Sequence, residues 1–119
     1  IEKLNSPILN SQIEQMGSES SKSIRERVIK AREIQQKRFE KNKGMYTNAQ
    51  MGNKQVKQYC PLFEEVRQFL MAAANKYNLS ARAYFKVIKV GRTIADLEGS
   101  EVILSNHIAE AVQYRENVW

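Results

Sequence analysis

Cysteine, histidine and proline are nearly missing from this chain, and each shortage removes a class of readings. Its 119 residues include one cysteine, Cys60, one histidine, His107, and two prolines. A single cysteine cannot close an internal disulfide, so a disulfide-stapled miniature fold is excluded; one histidine beside one cysteine leaves no ligand set for structural zinc, and no metal is expected. Cys60 is expected to be a small buried apolar residue. No apolar run approaches the roughly 18 residues of a membrane span, and the first twenty residues lack the basic and apolar blocks of a secretory signal. The expectation is a cytoplasmic protein with no membrane partner.

What is present suits one small domain of about 100 residues and a tail. Hydrophobic residues make up 42% of the chain, enough for a modest core. Lys and Arg number 19 against 13 Asp and Glu, a net charge of +6. That balance permits a phosphate or nucleic-acid partner without demanding one, and with both signs interspersed a plainly solvated surface explains it as well. Residues 1–20 are rich in Ser, Asn and Gln, and their apolar residues keep no period. They read as a flexible linker, and the start without Met suggests a piece of a longer polypeptide. Residues 21–117 read as the folded unit.

Within that unit every strong period is helical. Ser23 with Glu26 three residues later has the capping-box spacing, and Ile24, Val28, Ala31 and Ile34 follow on one face, so a first helix is expected from Ser23 to about Glu40 or Asn42. Its charged residues, Arg25, Arg27, Arg32, Lys37 and Arg38, are expected on the solvated side. Gly44 ends it. A short helix over Asn53–Tyr59 closes ahead of Pro61, because the residue before proline is pushed out of the helical region. Pro61 is placed in the first turn of the next helix, whose Leu62, Val66, Phe69, Leu70, Ala73 and Tyr77 form a core stripe. Ser80 caps the following helix, which buries Tyr84, Val87, Ile88, Gly91, Ile94 and Ala95 and stops at Gly99. Gly91 costs about 1 kcal/mol in a helix interior, which points to a close helix crossing. Ser105 caps the last helix, with Ile108, Ala111 and Val112 inward. The fold class is all-α, a small bundle of four to five helices.

Chemistry is harder to find. GSESSKS, at 17–23, lacks the glycine before the lysine that a phosphate-cradling GxxxxGK[ST] loop requires, and no strand precedes it. His107 with Glu110 has the composition of an acid/base pair, but a first-turn histidine is expected to face solvent. Tyr84 and Phe85 beside Lys86 and Lys89 suit base stacking on paper, yet Tyr84 falls on the apolar face. One oddity stands: Arg82 occupies the first turn of its helix, where the partial positive charge of the helix end favours an anion.

The run SARAYFKVIKVGRTIADLEGSE followed by NHIAEAVQYR, with IRERV, AREIQ, NAQM and YCPL upstream, resembles the C-terminal domain of the bacterial magnesium-chelatase-related AAA+ ATPases of the ComM/YifB type. The resemblance covers roughly residues 17–115. It departs from the family pattern at GSESS, which holds one residue more than the usual run, at Phe63, where an acidic residue is common, and at Gly91, where alanine is usual. It implies a helical lid of an ATPase core in the same polypeptide, in a protein that binds ATP and Mg²⁺, assembles as a homo-hexamer and processes DNA. This segment holds no Walker motif, so hydrolysis would belong to that parent. The resemblance assigns Arg82 as the sensor-2 arginine that meets the γ-phosphate; Lys86, one turn further on the same face, and after it Lys89 and Arg92, are candidates for further phosphate or DNA contacts. An arginine simply exposed at a helix end, and an Arg92–Asp96 surface ion pair, remain open alternatives, as does an autonomous basic module that binds DNA or acts as a protein adaptor.

Overall fold

The computed structural model describes residues 21–118, and the linker reading of 1–20 lies outside the described residues. Five α-helices follow one another: α1 Ser21–Arg38, α2 Asn53–Tyr59, α3 Glu64–Tyr77, α4 Ala81–Glu98 and α5 Ser105–Val118, with a 3₁₀ turn at Asn48–Gln50. There is no strand among the described residues. Helix α4 is the hub; α1, the 3₁₀ turn, α2 and α5 all pack on it, while α3 packs on α5. Val87, Ile88, Leu70, Ile103, Ile108 and Phe39 are among the buried centre.

Local signals set most helix ends. Helix α2 spans the residues its sequence indicates and closes at Cys60, just before Pro61. Asn78 ends α3 in the left-handed conformation (φ 51°), a role asparagine tolerates better than most residues. Two residues on, Ser80 Oγ accepts the Ala83 N–H at 3.1 Å and starts α4. Gly99 (φ 76°) ends it, with the Ser100 N–H donating to the Ala95 carbonyl at 2.8 Å and the Gly99 N–H to that of Asp96 at 3.0 Å. That pair of bonds satisfies two of the carbonyls a helix end leaves open.

Three capping assignments need correction. Helix α1 already includes Ser21 and Lys22, so Ser23 lies inside it and does not cap it; the helix also stops at Arg38, short of Glu40. Pro61 sits in the extended connection, and Phe63 precedes the first residue of α3, where Glu64 and Glu65 supply the favourable acidic first turn. At α5, Ser105 is already helical. The side chain serving that end is His107, whose Nδ1 accepts the Leu104 N–H at 2.9 Å.

Burial follows the periodic stripes with some exceptions. Ile34 is 37% exposed while Gln35 beside it is buried, so the inward face of α1 is rotated toward Ala31 and Gln35. Phe69 and Tyr77 of α3 are also more than a third exposed, although both fall on its apolar stripe. The crossing of α4 and α5 is as tight as Gly91 implies: a methyl group there would lie 3.1 Å from Ile108 Cδ1.

Candidate functional site

Helix α4 carries all four cations singled out in the sequence, and its packing divides them. At its N-terminal end Arg82 is exposed and makes no hydrogen bond or ion pair with the described residues. The first-turn amides of Ala81 and Arg82 precede the reach of the intrahelical ladder, and Arg82 belongs to that same turn. Lys86, also exposed, lies one turn further along. Lys89 is half-buried; its Nζ donates to the Met51 carbonyl at 3.1 Å and to that of Ala49 at 3.4 Å, tying α4 to the loop before α2.

Arg92 departs from the surface position expected of its pair with Asp96. It is 3% exposed rather than on the surface, and all three of its side-chain nitrogens donate within the domain. Its Nε donates to Asp96 Oδ1 at 3.1 Å, Nη1 to the Glu101 carbonyl at 3.0 Å and Nη2 to the Ser100 carbonyl at 2.6 Å, which clamps the end of α4 to the connection into α5. The i,i+4 pair with Asp96 is real, but it is buried. Burial pulls the Arg92 guanidinium below its ordinary value; the Asp96 charge opposes that pull and the Arg38 charge adds to it.

Arg38, expected on the solvated side of α1, turns inward to complete the cluster. Its Nη1 and Nη2 form a two-pronged pair with Asp96 at 2.9 and 2.8 Å, and Nη1 also donates to Asn48 Oδ1 at 2.8 Å. Asn48 in turn donates to Asp96 Oδ2 at 2.9 Å and to Thr93 Oγ1 at 3.0 Å, while its own backbone N–H donates to Gln35 Oε1 at 3.0 Å. A fully buried carboxylate thus holds two arginines and an asparagine from three parts of the chain. Such a network is stabilising only because nearly every polar group in it is partnered. The Arg92–Asp96 spacing was readable in the sequence, and Asn48 lay within the quoted NAQM run. Nothing local marked Arg38, whose partner is 58 residues away.

His107 is likewise not solvent-facing: it is fully buried. With Nδ1 accepting from Leu104, the ring hydrogen resides on Nε2, which donates to Glu98 Oε1 at 2.9 Å. It is a capping group that also bridges α4 and α5. Glu110 shares no hydrogen bond with it; burial first, and then the charge of Glu98, raise the Glu110 carboxyl above its ordinary value, while His107 pulls it down. Cys60 is buried as expected, and burial pushes its thiol up to about 11. No cluster of His, Cys, Asp and Glu among the described residues could hold a metal ion, and no described helix is long and apolar enough to cross a membrane.

Residues 18–115 match the family model for the magnesium chelatase, subunit ChlI C-terminal domain. Over 100 residues the chain is 44% identical to the competence protein ComM of Haemophilus influenzae, covering 84% of this chain and 19% of that protein. It is 39% identical over 97 residues to the uncharacterized protein YifB of Escherichia coli, with 82% and 18% covered. The counterpart YifB of Salmonella typhimurium is 37% identical over the same length. The chain therefore spans less than a fifth of the length of these curated relatives.

Proposed function

This chain belongs to the magnesium chelatase subunit ChlI C-terminal family, and from that premise we propose that it serves as the helical lid of an AAA+ ATPase, with Arg82 as the residue that meets the γ-phosphate of ATP. The observation that carries the reading is the contrast along α4: Lys89 and Arg92 are occupied by contacts within the domain, whereas Arg82 is exposed with no partner among the described residues. An arginine in a first turn with open helix amides suits a phosphate, which supplies the negative charge that the helix end favours. As that charge builds during phosphoryl transfer, the guanidinium stabilises it, and the lid gains a means of responding to the presence of the γ-phosphate. Lys86 is the second candidate for the same ligand. ATP and Mg²⁺ would be held mainly by the core of the full-length polypeptide, in a homo-hexameric cytoplasmic motor. The relative named for competence supports DNA processing as its output.

The test is Arg82→Ala in the full-length protein that carries this domain. ATP turnover is expected to fall at least tenfold, about 1.4 kcal/mol or more in the barrier, with nucleotide binding retained. Unchanged turnover would remove the assignment. A second reading, a basic module that binds DNA by itself, draws on the exposed Arg25, Lys30, Arg32 and Lys37 of α1. Submicromolar duplex binding by the isolated chain at physiological salt, with a steep salt slope, would favour it; weak or absent binding leaves the lid reading ahead.

A further inference from the structure

The buried cluster at the far end of α4 is not electrically balanced. Arg38 and Arg92 are two cations around the single carboxylate of Asp96, which leaves one positive charge where their side chains are only 12% and 4% exposed. A charge held away from water without its counter-charge is unfavourable, because the protein interior replaces water's solvation incompletely. The surplus is not sealed in. Both arginines line an open cleft of about 620 Å³, together with Ile34 and Lys37 of α1, Tyr59 at the end of α2, and Glu101 after α4.

Donors as well as charge remain for an incoming group. Arg38 has five N–H hydrogens; Nη1 directs its two to Asn48 and Asp96 and Nη2 directs one to Asp96, while Nε makes no hydrogen bond with the described residues. Arg92 Nη1 spends one of its two hydrogens on the Glu101 carbonyl. At the rim the exposed side chains of Lys37 and Glu101 offset each other in sign, so the floor decides what the cleft attracts. Ile34, 37% exposed, and half-buried Tyr59 add an apolar wall.

We propose that this cleft receives one carboxylate, the side chain of an Asp or Glu on a polypeptide segment with an apolar residue beside it. A single negative charge matches the single surplus cation, and a flat carboxylate matches the remaining guanidinium hydrogens. The apolar wall accounts for the neighbouring residue. A peptide source accords with relatives in which more than four-fifths of the polypeptide lies outside the matched region, since a segment tethered to this domain meets it at high effective concentration. The inference stands apart from the Arg82 assignment, as the cleft lies at the opposite end of α4.

The experiment is a nitrogen-15 NMR titration of the 119-residue chain with acetyl-Leu-Glu-Leu-amide, with its Leu-Gln-Leu counterpart, and with inorganic phosphate at matched ionic strength. The Glu peptide is expected to shift the Gly99 and Ser100 amides and the Arg38 Nε–H saturably. The Gln peptide should bind at least tenfold more weakly, and phosphate more weakly than the Glu peptide. Lys37→Glu and Ile34→Ser, both on the exposed rim, should each weaken the Glu peptide several-fold, while Arg82→Ala leaves it unchanged. The proposal is overturned if no saturable shift occurs, if the Gln peptide binds equally well, if neither rim variant has an effect, or if phosphate binds as tightly as the Glu peptide.

Discussion

The two ends of helix α4 carry arginines ten residues apart and put them to opposite uses. Arg82 stands on the exposed first turn, whereas Arg92 is 3% exposed within a network that joins α1, the 3₁₀ turn and the α4–α5 connection. Both are guanidinium groups carried by the same helix. What differs is the company: α1 and the 3₁₀ turn contribute Arg38 and Asn48 around Asp96 at one end, and no described residue pairs with the guanidinium at the other. An arginine's function is therefore decided by whether the fold supplies its anion.

The sharpest way to break this contrast is Asp96→Ala. It removes the carboxylate that Arg38 and Arg92 share and should cost about 3–5 kcal/mol, a large part of a small domain's stability of roughly 5–15 kcal/mol. Urea denaturation of the chain measures it, and a loss below about 1 kcal/mol would mean that the cluster is not a stabilising pin. His107→Ala comes next. It leaves the Leu104 N–H unpartnered and breaks the link to Glu98, with an expected loss of roughly 1–3 kcal/mol read by the same assay.

Arg82→Ala should contrast with both. In the isolated chain its effect is expected within about 0.5 kcal/mol of zero, inclining toward stabilisation because a cation leaves the positive helix end. A thermal melt that fell by many degrees would show that the exposed end has a structural duty after all. The smallest effect concerns Glu110. Its carboxyl is raised in the folded state, so its favourable contribution is complete below the ordinary glutamate range and is lost as pH climbs through the raised value. Glu110→Gln should therefore gain on the parent chain as pH rises from 4 to 7, and a constant difference across that range would contradict the assignment.

Local chemistry was the legible part. Ser80, Gly99 and the Asn53–Tyr59 helix follow from interactions spanning four or five residues, and Gly91 announced the close crossing with α5 because nothing else explains its cost within a helix. The errors at Ser23, Pro61 and Ser105 are shifts of a few residues, where several neighbouring residues compete for one cap and small differences choose the winner.

The polar interior was not legible for a different reason. Arg38 reads as one more cation on a charged helix, and His107 as a first-turn histidine; Arg38 turns inward because a segment 58 residues away brings its partner, and His107 is buried because the turn between α4 and α5 brings Glu98 back onto its ring. Hydrophobic period and capping chemistry, being properties of short stretches, determined by themselves that this chain is an all-α bundle and where most of its helices end. Only the tertiary structure decided which charges were left for a ligand. The cost of burying an ion depends on its counter-ion, and the counter-ion of Arg38 lies 58 residues along the chain and a hydrogen bond away in space.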